Sequence, residues 1–542
     1  MAQKNARHYE LPFQKDDVVE TDITDFGSEG EGVAKISGVP LFIRGAIPGE
    51  RVRAKVIGVK SSHGFGLIEK ILAPSPFRVE PPCPYFPRCG GCTLQHVEYG
   101  RQLEFKRAHI VNTVRKIAGV DLPLGEVEGS ERQYRYRNKL SLPVRERRDG
   151  EIGVGFFRRN SHDLVEIEDC LLQTEGCRGL IAELKKYMDL AQAPPYSETE
   201  QSGEIRHITL RDLGGVKTVT LVGAFEHPNA FITFSKALRR IYDENFAYYY
   251  NYNPHPTNVV YGRDFTFLAG QSEPVTVDGL KMRIHPAGFF QINDSVREKL
   301  YAYTVDKAAG SGAERAIEAY AGAGVLAAKL APHFKTVAAV EISPESVRAG
   351  EEIKKLNGIK NLHFIQGDCA AELEKLFRGQ GTGNGGTNNE GLGGMGQGAG
   401  DGETPQIINH NVQITNKDDI SVADSPSLPI HCSPFTIQSP TPHSSFLTPH
   451  SSPLIPNSPS TIHHSPSPVL ILDPPRQGLE PAVTDTLNRC GPDTVIYVSC
   501  NPATFARDLK RISETYAVTE AAAFDMFPQT PNAELVAVLK RR

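Results

Sequence analysis

The chain has 542 residues, enough for three or four domains of average size, and its 39% hydrophobic and 23% charged residues are typical of a globular protein. It has no run of about 18 apolar residues, and its first residues are polar and charged. These features argue against a membrane span or a secretory signal, so we expect a cytoplasmic protein with no membrane partner. The net charge of −5 neither indicates nor excludes nucleic acid, because differently charged domains can offset one another.

The first segment, residues 11–75, alternates short apolar runs with glycine- and proline-containing turns. Strands at this spacing predict a small β-barrel. Basic and apolar residues alternate over 51–56, which predicts a strand with one basic face. The turns Gly30-x-Gly32-x-Ala34 and Pro48-Gly49-Glu50-x-Val52 resemble those of the TRAM domain, an OB-fold-like RNA-binding module. The alternative is a β-barrel with no role in RNA binding.

Three cysteines follow in the tight pattern Cys83-x5-Cys89-Gly-Gly-Cys92, and a fourth, Cys170, comes after an acidic turn. Four thiolates can hold a [4Fe–4S] cluster or a tetrahedral zinc ion, and their spacing does not separate the two. Cys177 is a possible substitute for one of them, but it lies seven residues beyond Cys170. Four unrelated thiols are the remaining alternative.

A basic, aromatic segment lies within the predicted central domain, residues 76–285. Tyr134 and Tyr136 are interleaved with seven basic residues: Arg132, Arg135, Arg137, Lys139, Arg145, Arg147 and Arg148. Cations and rings in this mixture can contact phosphates and stack on bases of RNA. Taken alone, such a run is more often a solvated charged face.

The third segment, residues 286–542, has the pattern of an α/β nucleotide-binding domain. A strand, a glycine turn and a helix occupy 316–330, and the next strand ends at the acid Glu341. An acid at that position can accept the hydroxyls of a ribose. Together with Asp368 after a third strand, this order predicts a Rossmann-like methyltransferase core.

A low-complexity insert, residues 379–468, interrupts this core. Half of residues 379–402 are Gly, and Pro, Ser and Thr dominate the rest. Such a composition cannot bury enough apolar surface to fold, so we expect the insert to be disordered. Its six histidines are better explained by biased composition than by metal binding.

Reactive side chains follow the last strands. Asp473 opens an Asp-Pro-Pro-Arg turn after a buried strand, Cys500 follows the next strand, and Glu534 lies near the C-terminus. The carboxyl edge of such a sheet is where ligands bind, so a cysteine there is placed to react. A buried structural cysteine is the alternative.

These motifs, together with Gly288-Phe289-Phe290-Gln291-Ile292-Asn293, resemble those of the RNA uracil-C5-methyltransferases, in particular the RumA/RlmD-like branch. The resemblance implies an α/β fold: a Rossmann-like SAM-dependent domain, an N-terminal TRAM barrel and a small α+β central domain. It also implies a [4Fe–4S] cluster on Cys83, Cys89, Cys92 and Cys170. Contacts to S-adenosylmethionine are implied for Gln291, Tyr320, Glu341 and Asp473, with Cys500 as nucleophile and Glu534 as base.

The chain departs from the family pattern at two motifs. Glu318 stands where the family usually has Asp, and the Pro-His-Thr-x-His-x-Glu run keeps Glu534 but has neither histidine. The expected reaction is methylation of uracil C5 in 23S rRNA by a monomer, with Cys500 adding to C6 of a flipped uridine. The alternatives are a tRNA T-loop uridine as target, or a non-catalytic RNA-binding Fe–S protein. A small-molecule or amino-methyltransferase fits poorly, because Arg476 replaces the usual Tyr of its Pro-Pro-Tyr loop.

Overall fold

The computed structural model describes residues 11–174, 177–255, 259–378 and 467–542. The insert predicted to be disordered, 379–468, lies outside the described residues except for its last two. No helix in the described ranges is long and apolar enough to span a membrane.

The N-terminal domain is a curled six-stranded sheet. Its strands are β1 (Val18–Asp22), β2 (Asp25–Phe26), β3 (Gly32–Ile36), β4 (Val39–Arg44), β5 (Arg51–Val59) and β6 (Gly64–Ala73), in the spatial order β1-β5-β6-β4-β3-β2. Apolar residues that alternate along the strands point to one side and form the core, including Leu41, Val52 and Val56.

The predicted basic face of β5 is present, but its cations are paired. Arg53 lies directly opposite Glu20 on β1, and their side chains approach to 2.6 Å. Lys55 pairs with Asp16 at 3.0 Å. Acids of the N-terminal segment therefore neutralise this face, and its charge is less available to RNA than the sequence pattern suggested.

The middle of the chain forms a second sheet with helices packed on it, whereas its first helix and first strand pack with the C-terminal domain. Its elements are α1 (Tyr99–Ala118), β7 (Leu124–Glu128), β8 (Lys139–Glu146), β9 (Ile152–Phe157), β10 (Leu164–Glu166), α2 (Cys177–Ala191), β11 (Ile205–Leu213), β12 (Val216–Gly223), α3 (Ser235–Tyr242), β13 (Phe246–Tyr252), β14 (Asp264–Gly270), β15 (Val275–Val277) and β16 (Leu280–Met282). The sheet runs β10-β9-β8-β11-β12-β13-β14, and β15 and β16 form a separate hairpin. Helix α2 buries apolar residues at helical spacing, such as Leu180, Leu184 and Met188, against this sheet's core.

The C-terminal domain has the predicted Rossmann-like topology. Its elements are α4 (Asp294–Ala309), β17 (Arg315–Ala319), α5 (Val325–Leu330), β18 (Thr336–Glu341), α6 (Pro344–Leu356), β19 (Leu362–Gln366), α7 (Cys369–Phe377), β20 (Val469–Leu472), α8 (Pro481–Cys490), β21 (Thr494–Ser499), α9 (Pro502–Ile512), β22 (Tyr516–Phe524) and β23 (Glu534–Arg541). Strands β19, β18, β17, β20 and β21 are neighbours in that order and parallel, and β23 runs antiparallel to β21. Apolar clusters cover both faces of the sheet, which explains the uninterrupted apolar sequence of β20.

The segments before and after residue 286 are interleaved. Strand β7, from the segment predicted as the central domain, adds to the C-terminal sheet beside β22. On α1, Lys106 forms a fully buried ion pair with Asp525, and Tyr99 donates a hydrogen bond to the same carboxylate at 2.8 Å. These contacts fix the start of the central segment against the loop that leads to β23.

Candidate active site

The carboxyl ends of four adjacent parallel strands bring the predicted residues to one edge of the sheet. Tyr320 follows β17, Glu341 ends β18, Asp473 follows β20 and Cys500 follows β21. This edge is where ligands bind in open α/β sheets.

The glycine turn after β17 is held by Glu341. One oxygen of this carboxylate accepts a hydrogen bond from the Gly322 backbone at 2.8 Å, and the other accepts one from Ser343 at 2.8 Å. Gly324 begins α5 at a φ of 66°, and a Cβ there would lie 2.4 Å from the Phe364 ring. The carboxylate keeps lone pairs that can accept ribose hydroxyls.

Three carboxylates surround this turn and repel one another. Burial, then the charge of Asp473, raises the pKa of Glu318 well above its usual range, with a further contribution from Glu341. Burial also raises the pKa of Asp473, to about 7. The Oε2 atom of Glu318 is buried and has no hydrogen-bond partner in the described chain. A positively charged ligand would relieve this repulsion. The three carboxylates therefore fit a cofactor with sulfonium and ammonium groups, such as S-adenosylmethionine.

Tyr320 and Gln291 lie at the margins of this group. Tyr320 has a φ of 63°, and its hydroxyl is 3.5 Å from the Glu480 carboxylate before α8. Gln291 is buried, and its backbone oxygen accepts a hydrogen bond from the Asn138 side chain at 2.9 Å. Within the described ranges its side-chain amide forms no hydrogen bond to the other predicted cofactor residues. Phe289, two positions earlier, is 72% exposed.

Glu534, Asp473 and Arg476 lie close enough to Cys500 for their charges to change the pKa of its thiol. Burial, then the charge of Glu534, raises the pKa of the Cys500 thiol to about 12, while Arg476 lowers it by its charge and a hydrogen bond. Burial and the charge of Asp473 raise the pKa of Glu534 well above its usual range. A thiol, two carboxyl groups and one cation are therefore arranged for nucleophilic and proton-transfer chemistry.

Asn501, the residue after Cys500, fixes the Asp-Pro-Pro-Arg loop. Its side chain caps α9 by accepting a hydrogen bond from Ala503 at 3.0 Å, and it donates one to the Arg476 backbone oxygen at 3.3 Å. Thr504 donates to the same oxygen at 3.2 Å. The helix that begins beside the thiol thus also sets the position of the neighbouring cation.

Two protein-family models match parts of this chain. A TRAM domain model matches residues 12–68, and a "tRNA (Uracil-5-)-methyltransferase" model matches 259–380 and 464–542. An RNA methyltransferase of Clostridium acetobutylicum is 30% identical over 98% of both chains. One of Halalkalibacterium halodurans is also 30% identical over 98% of both chains. The chain belongs to the S-adenosylmethionine-dependent RNA (uracil-5-)-methyltransferase family.

A solved structure shares the fold of this methyltransferase. It is the tRNA (uracil-54, C5)-methyltransferase of Pyrococcus abyssi in complex with S-adenosyl-L-homocysteine. The TM-score is 0.64 with 22% sequence identity, and the match covers 96% of this chain and 99% of that one.

The four predicted cysteines of the methyltransferase lie near one another. Burial raises the pKa of Cys89 to about 11 and that of Cys92 to about 12, and the Cys83 and Cys170 thiols contribute to both shifts. In the described part of the chain, no set of three or more Cys, His, Asp or Glu side chains is placed to hold a single metal ion. A [4Fe–4S] cluster does not require its thiolates to converge on a single ion, because each thiolate binds a different iron atom.

Two features of the methyltransferase site were missed by the sequence reasoning. One is Arg476, whose signal in the sequence is a cation in a rigid turn at the ligand-binding edge of the sheet. The Gln102–Gln529 pair had no such signal, because the residues are 427 positions apart. The Gln529 backbone oxygen accepts hydrogen bonds from Thr93 and Leu94 at 3.0 Å each, which ties the segment after Cys92 to the loop before Glu534.

Proposed function

We propose that this methyltransferase methylates C5 of a uridine in 23S rRNA, with Cys500 as nucleophile and Glu534 as base. The observation that carries the proposal is that Cys500 and Glu534 adjoin the last pair of β21 and β23, Ser499–Leu535, and that the charge of Glu534 acts on the Cys500 thiol. A module that only binds RNA has no use for this pair on a pocket edge.

Uracil C5 is too weak a nucleophile to accept a methyl group unaided. Addition of the Cys500 thiolate to C6 forms a carbon–sulfur bond and makes C5 nucleophilic, as an enolate. S-adenosylmethionine supplies the electrophilic methyl group when bound. In its ionised form Glu534 then removes the C5 proton, and the C6–sulfur bond breaks to release the thiolate and 5-methyluridine.

The remaining residues hold the reactants in place. Arg476 favours the thiolate of Cys500, and Asp473 lies where it can orient the uracil ring or the cofactor. Glu341 can accept the cofactor's ribose hydroxyls, with Gln291 and Tyr320 lining its margins. Phe289, exposed at the surface, can stack on a base that leaves the RNA helix.

We also propose that Cys83, Cys89, Cys92 and Cys170 hold a [4Fe–4S] cluster. The charges of Cys83 and Cys170 raise the pKa values of Cys89 and Cys92, so these thiols lie near one another, which supports a shared ligand. When bound, the cluster would cross-link the first three cysteines to the turn at Cys170. The hydrogen bonds from Thr93 and Leu94 would carry this restraint to the loop before Glu534.

The TRAM domain combined with the four cysteines favours 23S rRNA as substrate. The second candidate is a tRNA uridine, because the Pyrococcus abyssi enzyme of the same fold is named for tRNA uracil-54. Mass-spectrometric mapping of 5-methyluridine in rRNA and tRNA after gene deletion separates the two. We expect one 23S rRNA site to lose its methyl group and to regain it with the wild-type gene but not with Cys500→Ala. Loss from tRNA alone would refute the first candidate, and no loss from either RNA would refute both.

A further inference from the structure

Two cations lie opposite each other where the central sheet meets the segment that carries Phe289. Lys139 on β8 and Arg211 on β11 are direct partners in the strand register. Arg211 is buried and donates a hydrogen bond from Nη2 to the Gly288 backbone oxygen at 2.5 Å. Its Nε has no hydrogen-bond partner in the part of the chain that the structure describes. The pair therefore lies beside the segment that carries Phe289, with Arg211 buried and Lys139 only partly buried.

These cations have no counter-charge in the described ranges. Neither Lys139 nor Arg211 has a carboxylate within ion-pair distance there, whereas other buried cations do: Lys106 pairs with Asp525, and Arg297 with Asp278 at 2.7 Å. Burial, then the charges of Arg211 and Arg137, lowers the pKa of Lys139 to about 7. Two neighbouring positive charges that are partly shielded from water repel each other, and a bound anion between them removes this repulsion.

Aromatic rings border the same place. The Lys139 amine lies 5.5 Å from the centre of the Tyr261 ring, and Tyr261 and Phe265 are 5.3 Å apart. The His285 ring is 4.9 Å from Phe265 in an edge-on contact, three residues before Gly288. Cations alternating with rings are the usual surface for single-stranded RNA, where phosphates meet the cations and bases stack on the rings.

We propose that Lys139, with Arg211 beside it, forms a subsite for one backbone phosphate of the substrate RNA, next to the nucleotide that enters the active site. The subsite rests on the proposed function, because it presumes an RNA strand passing Phe289. Lys139 is partly buried and can reach the phosphate, while the neighbouring Arg211, itself buried, adds positive charge and donates a hydrogen bond to Gly288.

The test is the salt dependence of RNA binding by the full chain. The probe is an oligouridylate of about 12 nucleotides, and the variants are Lys139→Gln, the charge-conserving Lys139→Arg, and Lys186→Gln as control. Lys186 is an exposed lysine on α2 of the same domain, with no ion pair to another described residue. Each phosphate contact on a single strand contributes about 0.7 to the slope of log K against log salt.

We expect Lys139→Gln to lower the magnitude of that slope by about 0.7, while Lys139→Arg and Lys186→Gln keep the wild-type slope. An unchanged slope in Lys139→Gln would overturn the subsite. A site for free phosphate would also overturn it. In that case inorganic phosphate raises the Tm of the wild type but not that of Lys139→Gln, and the salt dependence of RNA binding has the same slope in both proteins. Formation of 5-methyluridine is measured separately. A wild type that never forms it refutes the proposed function, whereas an unchanged slope with intact methylation refutes only the subsite.

Discussion

Cys500 and Glu534 each adjoin the Ser499–Leu535 pair, the last pair in the register of the antiparallel strands β21 and β23. The register thus brings both residues to the same end of the sheet, where the charge of Glu534 raises the pKa of the Cys500 thiol. A thiol nucleophile and a proton acceptor held in this way can act in succession on the same pyrimidine ring.

Replacing Glu534 by Gln should separate the two halves of the reaction. Cys500 can still add to the uridine, but the C5 proton stays in place and the thiolate cannot leave. We expect a covalent protein–RNA adduct that survives denaturing electrophoresis, with turnover reduced by about 10²-fold or more. The double variant Glu534→Gln/Cys500→Ala is the control and should form no adduct. An adduct in the double variant would contradict the role of Cys500.

Arg476 should control the ionisation of Cys500 in the free enzyme. Because the pKa of this thiol is raised to about 12, the thiolate fraction grows tenfold per pH unit throughout the neutral range. Alkylation of Cys500 by iodoacetamide, followed by peptide mass spectrometry, should therefore speed up steadily from pH 7 to about pH 9. Arg476→Gln removes the group that lowers the pKa and should slow the reaction on the order of tenfold, the effect of one pKa unit.

The matched control is Arg489→Gln, an exposed arginine at the end of α8 that pairs with Glu374 at 2.6 Å. It should leave the alkylation rate of Cys500 unchanged. Equal rates for Arg476→Gln and Arg489→Gln would show that Arg476 does not favour the thiolate.

Binding of S-adenosylmethionine should release protons. The pKa values of Asp473 and Glu318 are raised in the cofactor-free protein, and a positive ligand favours their charged forms. The affinity should therefore rise with pH through about 7, where Asp473 titrates. S-adenosylhomocysteine, which lacks the sulfonium charge, should show a smaller rise. Calorimetry at several pH values measures both, and equal pH profiles for the two ligands would contradict the role of these carboxylates.

Most strands of the C-terminal sheet could be predicted from the sequence, whereas few of the contacts that hold the site in position could be. The strand at Thr336–Glu341 and the apolar strand before Asp473 were predictable because buried parallel strands have continuous apolar sequences. The addition of β7 to the C-terminal sheet was not, because its partner β22 lies almost 400 residues away. The pairing of the β5 cations with β1 was also hidden, since the register between strands is set by the folded core.

The buried ion pair between Lys106 and Asp525 should be essential for stability. Asp525→Asn leaves the Lys106 ammonium in the protein interior without its counter-charge, which should lower the free energy of unfolding by about 3–5 kcal/mol. Urea denaturation followed by circular dichroism measures the change. Glu20→Gln, which breaks the exposed pair with Arg53, is the control and should have a much smaller effect. Similar losses in both variants would contradict a special role for the buried pair.

Iron content should distinguish the cysteine cluster from zinc. After anaerobic purification or reconstitution, we expect about four iron atoms per chain with visible absorption typical of a cluster. Cys170→Ser should lose most of this iron, because one corner of the cluster then has no thiolate. Cys177→Ser is the matched control: this thiol is buried on α2 and belongs to the hydrophobic core, so its loss should leave the iron content unchanged. One zinc ion per chain in place of iron, or equal iron in both variants, would contradict the proposed ligand set.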